Sequence, residues 1–226
     1  MIKIENVEVV GWEPAIRGMR NPKNSWNRMD SCSCDSETCP MLDNDYEPVE
    51  CSNGMIDFCI GENDHDLAMR LAKGGPVHAK YRRMIVVYLD ITAPLYWWKE
   101  FDTYKVGTVA NSCSTMHKIQ DKEFTRDDFS CEHLIGSMSV MNHIIDCLNY
   151  NRNLFLETKD KKFWWQMIQL LPTSYNQKRT IMLNYEVLVG MYKSRRGHKL
   201  DEWRDFCEWI ETLPYSEIIT GKKENE

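Results

Sequence analysis

Apolar and polar positions alternate in the first part of the chain and recur at helical spacing further on. Apolar and polar residues alternate imperfectly over 2–12, which predicts a strand. A short helix is predicted after it, around residues 15–19. Asn63 is predicted to cap a helix over 64–73, with Gly74 and Gly75 as its stop. The segment 79–91 is short, continuous and rich in β-branched and aromatic residues, so we predict a buried central strand there.

The second half of the chain is predicted to be mainly helical. Pro94 opens a helix with aromatic residues at helical spacing, and Ser130 is predicted to cap a long helix whose apolar stripe runs to Leu148. Further helices are predicted over 160–170, 176–195 and 200–212. With strands early and helices late, the fold class is α+β or mixed α/β, with a small sheet and long C-terminal helices.

The length and the segment boundaries predict one domain over residues 1–220. A cysteine-rich excursion with little regular pattern interrupts it at 21–60, and the tail 221–226 is expected to be disordered. Long ordered loops are usually functional, so the excursion is a candidate for a role of its own.

The charge and the distribution of apolar residues argue against a nucleic-acid-binding, a membrane-spanning or a secreted protein. The chain has 28 basic and 34 acidic residues and a formal net charge of −6, which argues against a polymeric nucleic acid as partner. The longest apolar run, residues 84–89, is far shorter than the roughly 20 residues of a membrane-spanning helix. The N-terminus lacks the pattern of a secretory signal, so we expect a cytoplasmic protein without a membrane partner.

Five of the nine cysteines fall within 28 residues, which makes them the most conspicuous cluster. Zinc sites use four thiolates or imidazoles, usually as two close pairs. Here only Cys32 and Cys34 form a close pair, with Cys39 and Cys51 as further candidate ligands. Unligated thiols on a loop are the alternative, and it is the one we favour.

The stretch from Tyr104 to His117 is small, polar and almost uncharged. Its hydroxyl, amide and imidazole groups follow an aromatic-rich helix, an arrangement typical of a small-ligand pocket. A turn network that only satisfies itself with hydrogen bonds is the alternative.

Asn184 and Arg195 are eleven residues apart in the predicted helix 176–195. At 3.6 residues per turn they return to nearly the same line, roughly 16 Å apart. The guanidinium fork suits a phosphate or a pyrimidine carbonyl edge, so the pair is a candidate nucleotide site. The alternative is an arginine that interacts only with the carbonyls at the end of its own helix.

The spacing of Pro172, Asn184, Arg195 and Glu202 resembles the C-terminal signature of flavin-dependent thymidylate synthases. Upstream, the chain also shows a histidine, a strand, a proline and an aromatic helix in the family's order. The motif that follows has Asn111 and Ser114, with His117 where the family has tyrosine. The likeness covers nearly the whole chain and extends to bacterial and phage relatives without an assigned function.

This resemblance implies the family's fold and a methyltransferase of dTMP biosynthesis. Such enzymes transfer a one-carbon unit from methylenetetrahydrofolate to C5 of deoxyuridine monophosphate, with FAD as carrier, NADPH as electron source and a homotetramer as the assembly. Carried over by position, the implied catalytic residues are Arg195 and Ser114. The implied cofactor-binding residues are His78, Lys105, Asn111 and Asn184, and the implied substrate-binding residues are Ser112, Ser114, His117 and Arg195.

The chain departs from the family where phosphate is bound. The Arg-His-Arg that opens the family motif falls on Tyr104, Lys105 and Val106, and a nucleotide-binding arginine falls on Ile168. The cations that are available as substitutes are Arg82, Arg83, Lys105, Lys178 and Arg179. These departures keep two alternatives open: the same fold with altered chemistry, such as hydroxymethylation or a modified phage nucleotide, and a non-catalytic nucleotide- or zinc-binding module.

Overall fold

The structure is a computed structural model that describes residues 2–33 and 58–222. Its strands are β1 (Lys3–Val10), β2 (Cys32–Ser33), β3 (Phe58–Cys59), β4 (Val86–Pro94), β5 (Val109–Ser112) and β6 (Asn176–Asn184). Its α-helices are α1 (Trp12–Arg20), α2 (Glu62–Lys73), α3 (Leu95–Phe101), α4 (Met138–Thr158), α5 (Lys161–Leu170), α6 (Tyr185–Arg195), α7 (Asp201–Glu211) and α8 (Glu217–Thr220). Short 3-10 turns lie at Asn21–Lys23, Trp26–Arg28, Lys80–Arg83 and Arg126–Asp128.

One four-stranded sheet has the order β1-β4-β6-β5, and β2 pairs with β3 in a separate antiparallel ribbon. In β4 the buried side chains alternate with more exposed ones, as expected for a strand with two different faces. All four residues of the edge strand β5 are exposed. The mixed α+β class is confirmed.

Several predicted elements are confirmed, with bounds that differ by at most about three residues. They are the first strand, the helix after it, the aromatic helix that follows Pro94, and the helices predicted at 160–170 and 200–212. In α1, α3 and α7 the apolar side chains of one face are buried, so the helical spacing of the sequence reflects a buried face.

The prediction of one helix over 176–195 is wrong. Residues 176–184 form β6, where Gln177, Ile181 and Leu183 are buried at even spacing. Asn184 ends the strand and caps α6, its Oδ1 accepting a hydrogen bond from the Val187 amide at 3.1 Å. The helical segment is therefore only the second half of the predicted one.

Three predicted boundaries are also wrong. The central strand begins at Val86, because 80–83 forms a 3-10 turn. The long helix begins at Met138, and the Ser130 hydroxyl instead bonds Asn176 Oδ1 at 2.9 Å. Asn63 is not the cap of α2, which begins at Glu62.

The described chain divides into two compact units. The hairpin unit comprises residues 2–4, 90–103 and 110–180, and the bundle unit comprises 5–33, 58–89, 104–109 and 181–222. In the hairpin unit α4 packs along α5. Part of its core is a cluster of Ile119, Phe124, Phe129, Met141, Ile145, Leu148 and Met167.

The bundle unit buries α6 against α7, α8 and the 3-10 turn at 80–83. Trp12 of α1 contacts the ring of Tyr185 edge-on, with 5.3 Å between ring centroids. The Tyr185 hydroxyl donates to the Pro214 carbonyl at 2.6 Å, and burial raises the pKa of this tyrosine well above its usual value. The ring contact with Trp12 and the hydrogen bond to Pro214 thus hold Tyr185, the first residue of α6, in place.

Candidate functional site

Arg195 is the last residue of α6, and two aromatic side chains hold its guanidinium. Nε donates to the Tyr104 hydroxyl at 2.9 Å. The guanidinium carbon lies 4.8 Å from the centroid of the Trp203 ring, a cation–π distance. Arg195 is half-buried, so the orientation of its fork is set by these neighbours. The alternative was an arginine that interacts only with the carbonyls at the end of its own helix, and these contacts with Tyr104 and Trp203 differ from it.

The loop Tyr104–Val109 contacts both ends of α6. Tyr104 meets Arg195 at the C-terminal end, and Gly107 approaches Asn184 at the N-terminal end. Gly107 has φ +80°, and a Cβ placed on it would lie 3.0 Å from Val187 Cγ2 and 3.2 Å from Asn184 Nδ2. Both the backbone conformation and the close approach require glycine here.

This loop and the α6 N-terminus present polar groups that a bound molecule can use. Thr108 Oγ1 is buried and has no hydrogen-bond partner among the described residues. Lys105 is exposed, and the Oδ1 of Asn184 is already used as the helix cap. A hydroxyl without a partner and a cation on this loop, together with an amide at the start of α6, fit a ligand with polar edges and an anionic group.

The predicted residues 111–117 lie in the hairpin unit, where hydrogen bonds fix their backbone. The Cys113 amide donates to the Lys178 carbonyl at 2.9 Å, and Gln177 Nε2 donates to the Cys113 carbonyl at 2.7 Å. Ser114 Oγ accepts from the amides of Met116 and His117 at 3.1 and 3.0 Å. The turn network weighed as the alternative is therefore present, and it leaves the side chains of Asn111, Ser112 and His117 exposed.

The predicted site residues thus divide between the two units. Arg195, Asn184, Lys105 and His78 belong to the bundle unit, whereas Asn111, Ser112, Ser114 and His117 belong to the hairpin unit. His78 is exposed and lines a cavity of the bundle unit, away in sequence from the 104–109 loop.

Most of the candidate substitute cations are already paired with carboxylates. Arg82 Nε lies 2.8 Å from Glu186 Oε2, Lys178 Nζ lies 3.1 Å from Asp90 Oδ2, and Arg179 Nη1 lies 2.8 Å from Asp102 Oδ1. Only Lys105 and Arg83 of the candidates have no ion pair among the described residues. Ile168, which takes the position of the family's nucleotide-binding arginine, packs against the core cluster of the hairpin unit.

The zinc hypothesis falls mostly outside the described residues, where Cys34, Cys39 and Cys51 lie. Cys32 is directly opposite Cys59 in the β2–β3 ribbon. Within 2–33 and 58–222 no group of three metal-ligating side chains is close enough to hold an ion. Burial raises the pKa of the Cys207 thiol to about 11, which fits a packed, unreactive cysteine in α7.

Sequence reasoning missed two of the groups that shape the site. From the sequence, Tyr104 is only the start of the polar stretch 104–117 and a lost charge, and Trp203 is only one residue of the predicted helix 200–212. Trp203 follows Arg195 by eight residues across a turn, so no helical periodicity connects them. Their partnership depends on how α7 packs on α6.

Comparison with solved structures decides the fold family. The chain superposes on a crystal structure of thymidylate synthase X from Helicobacter pylori with a TM-score of 0.67, at 13% identity and over 97% of both chains. The chain has the fold of thymidylate synthase X. A second structure of that flavin-dependent enzyme gives a TM-score of 0.64 at 14% identity, over 96% of this chain and 97% of the other.

Both Helicobacter pylori structures contain FAD and dUMP. No protein-family model and no curated protein matches the chain by sequence. The likeness to thymidylate synthase X is therefore one of fold. Among the helices of the described residues, none combines the length and the apolar character that a membrane span requires.

Proposed function

We propose that this chain is a flavin-dependent thymidylate synthase-like enzyme. It transfers a one-carbon unit from methylenetetrahydrofolate to C5 of deoxyuridine monophosphate and thereby produces dTMP. The observation that carries the proposal is the fixed guanidinium of Arg195, held by Tyr104 and Trp203 at the end of α6 in a chain with the thymidylate synthase X fold.

Arg195 is the proposed catalytic residue. Its fork donates to the carbonyl edge of the pyrimidine, and it stabilises the negative charge that develops on the ring when C5 becomes nucleophilic. Tyr104 is a positioning residue, because its hydroxyl bonds the guanidinium Nε and limits its rotation. Since the orientation exists before the substrate arrives, little reorganisation is needed during the reaction.

The residues of the 104–109 loop and of α6 fit FAD in their donor set. Lys105 attracts a phosphate, Thr108 Oγ1 supplies a buried hydroxyl that lacks a partner, and Asn184 presents its amide nitrogen. His78 and Asn111 are further proposed cofactor contacts. When it is bound, FAD supplies the redox chemistry, with electrons from NADPH.

Ser112, Ser114 and His117 are the proposed substrate contacts of the hairpin unit. Ser114 Oγ already accepts two backbone hydrogen bonds, so its hydroxyl proton remains to be donated to the nucleotide. Val106 and Val109 of the 104–109 loop are exposed apolar side chains, at 92% and 59% exposure, and they support a homotetramer in which subunits share the candidate sites. A cytoplasmic location remains a prediction from the sequence.

A second candidate keeps the fold and changes the reaction to hydroxymethylation or to a modified phage-type nucleotide. The observation that favours it is the pairing of Arg82, Lys178 and Arg179 with carboxylates, which removes three candidate phosphate partners. A thermal-shift panel of deoxynucleoside monophosphates separates the first candidate from an enzyme of a modified nucleotide, and the mass of the product formed from deoxyuridine monophosphate separates methylation from hydroxymethylation. Stabilisation by deoxyuridine monophosphate above all others supports the first, and a preference for another pyrimidine nucleotide supports the second.

Flavin uptake tests the proposed function most simply. The purified chain is incubated with FAD, separated from free cofactor, and examined for the flavin absorbance bands. We expect a yellow protein with a stoichiometric content of FAD, and a lower melting temperature once the FAD is removed. A colourless protein that takes up no FAD would contradict the proposal.

A further inference from the structure

A cavity of about 1230 Å³ lies in the bundle unit, outside the Arg195 region. Its walls come from the end of α1, the polar segment 21–28, one face of α2 and the segment 77–84. The cavity is large enough for a nucleotide-sized molecule.

The cavity wall is strongly cationic in a chain whose net charge is −6. Five lysine and arginine side chains line it against the single carboxylate of Asp66. The cations are Arg20, Lys23, Arg28, Arg70 and Lys80. Among the described residues, only Arg20 of these five has an ion-pair partner. Positive charges around one cavity repel one another, so an anion bound in the cavity would reduce this electrostatic repulsion.

Arg20 differs from the other cations of the wall, because its side chain is buried and held in one orientation. Its side chain is 3% exposed, and its Nε lies 2.5 Å from Asp64 Oδ1. The other oxygen of Asp64 accepts from the Asp30 and Ser31 amides and from the Ser31 hydroxyl, so the carboxylate is fully engaged and cannot turn away.

One nitrogen of Arg20 nevertheless has no partner. Nη2 is buried and makes no hydrogen bond to the described residues, whereas Nη1 reaches the Ser25 carbonyl at 3.5 Å. A buried charged donor without an acceptor is costly. Because Arg20 lines the cavity, an anionic oxygen bound there is the acceptor that completes its hydrogen bonds.

The rest of the lining defines the ligand class. The loop amides of Asn21, Asn24 and Asn27 supply further donors, and Leu67 and Leu71 supply an apolar wall. Asp64 and Asp66 offset two of the five cations, so about three positive charges remain, and a phosphate or a diphosphate matches them with two or three negative charges on several oxygens. We propose that this cavity binds an organic molecule through its phosphate groups.

The proposal does not depend on the reaction at Arg195. Two kinds of ligand share the required chemistry: the diphosphate of a dinucleotide cofactor, and a free phosphorylated metabolite. His78, a proposed cofactor contact, lies on the same wall, so the experiment includes both sources.

Isothermal titration calorimetry of the full chain with inorganic pyrophosphate tests the site. We expect saturable binding that weakens with added salt. The double variant Lys23→Gln/Arg70→Gln should bind at least tenfold more weakly, because both side chains are solvent-accessible cations whose loss leaves the fold intact. Lys99→Gln, an exposed lysine of α3, is the matched control and should bind as the wild type does.

Competition assigns the source of the phosphate. FAD or NADPH that displaces pyrophosphate identifies a cofactor diphosphate, and pyrophosphate that persists in saturating cofactor identifies a separate metabolite site. No binding by the wild type, or equal binding by the double variant and the wild type, overturns the proposal. Failure of dUMP turnover with intact pyrophosphate binding would count against the proposed function alone.

Discussion

Arg195 Nε donates to the Tyr104 hydroxyl at 2.9 Å, so the C-terminal end of α6 and the start of the 104–109 loop are joined by one hydrogen bond. The same guanidinium lies over the Trp203 ring of α7. The helices α6 and α7 and the 104–109 loop therefore meet at one guanidinium, and their packing determines how that guanidinium is oriented.

Tyr104→Phe should lower kcat about fivefold while the KM for deoxyuridine monophosphate stays nearly constant, because one orienting hydrogen bond is worth about 1 kcal/mol. Steady-state kinetics with purified protein measures both constants. Tyr88→Phe, which changes an exposed tyrosine of β4, is the control and should leave both unchanged. An equal loss in the two variants, or a change in KM alone, would argue against a positioning role for Tyr104.

Gly107→Ala should destabilise the fold by about 1–2 kcal/mol, because alanine is strained at positive φ and its Cβ would press on Val187. Urea denaturation gives the free energy of unfolding. The matched control is Gly190→Ala, where a Cβ meets nothing within 4 Å inside the helix α6. Helix propensity predicts that this second change is stabilising by about 0.5–1 kcal/mol. Similar values for both variants would show that the loop does not depend on Gly107.

Asp30 caps α2 from a distant part of the chain, its carboxylate accepting from the Asn63 and Asp64 amides at 2.8 and 3.0 Å. Asp30→Ala should lower the free energy of unfolding by about 1–2 kcal/mol, the usual value of a lost cap. Asp146→Ala, which removes an exposed carboxylate of α4, is the control.

The same cap predicts a pH dependence. Burial favours the neutral acid, but the two amide donors outweigh it and hold the pKa of Asp30 below 3.8. This contribution to stability is present above pH 3.8 and is lost as the pH falls through the lower folded-state pKa. The difference in unfolding free energy between wild type and Asp30→Ala should therefore shrink below about pH 4. A difference that stays constant from pH 7 to pH 3 would contradict the assignment.

Arg179 is held by Asp102 and by Trp98, whose ring centroid is 4.2 Å from the guanidinium carbon. Arg179→Ala should cost about 1–2 kcal/mol, since it removes a cation–π contact as well as a partly shielded ion pair. Lys178→Ala on the neighbouring position of β6 removes a more exposed ion pair with Asp90, and we expect it to cost at most about 0.5 kcal/mol. Chemical denaturation of both variants measures the contrast, and the reverse order would refute it.

Much of the fold was predictable because its cause is local. The apolar faces of α1, α3 and α7 are visible in the sequence as helical spacing, and they are the faces that the structure buries. The prediction fails at 176–184 because a polar residue, Gln177, takes a buried position in the alternation with Ile181 and Leu183, where its side chain donates to the carbonyl of Cys113, the residue after β5.

The candidate site was predictable only where one helix carries it. Asn184 and Arg195 lie at the two ends of α6, so one helix connects them as predicted, although Asn184 was expected inside a longer helix and not at its start. The partners of Arg195 come from another loop and another helix, and the cap of α2 comes from Asp30, more than thirty residues earlier. Such contacts depend on tertiary packing, which no local pattern encodes.

The most direct test of the central claim is product formation by the wild type and by Arg195→Ala. Each protein is incubated with deoxyuridine monophosphate, methylenetetrahydrofolate, FAD and NADPH, and dTMP is quantified by mass spectrometry, with circular dichroism to verify folding. We predict dTMP from the wild type and at least a hundredfold less from the variant, as expected when a main electrostatic stabiliser is removed. No dTMP from folded, FAD-loaded wild type, or equal amounts from both proteins, would contradict the account.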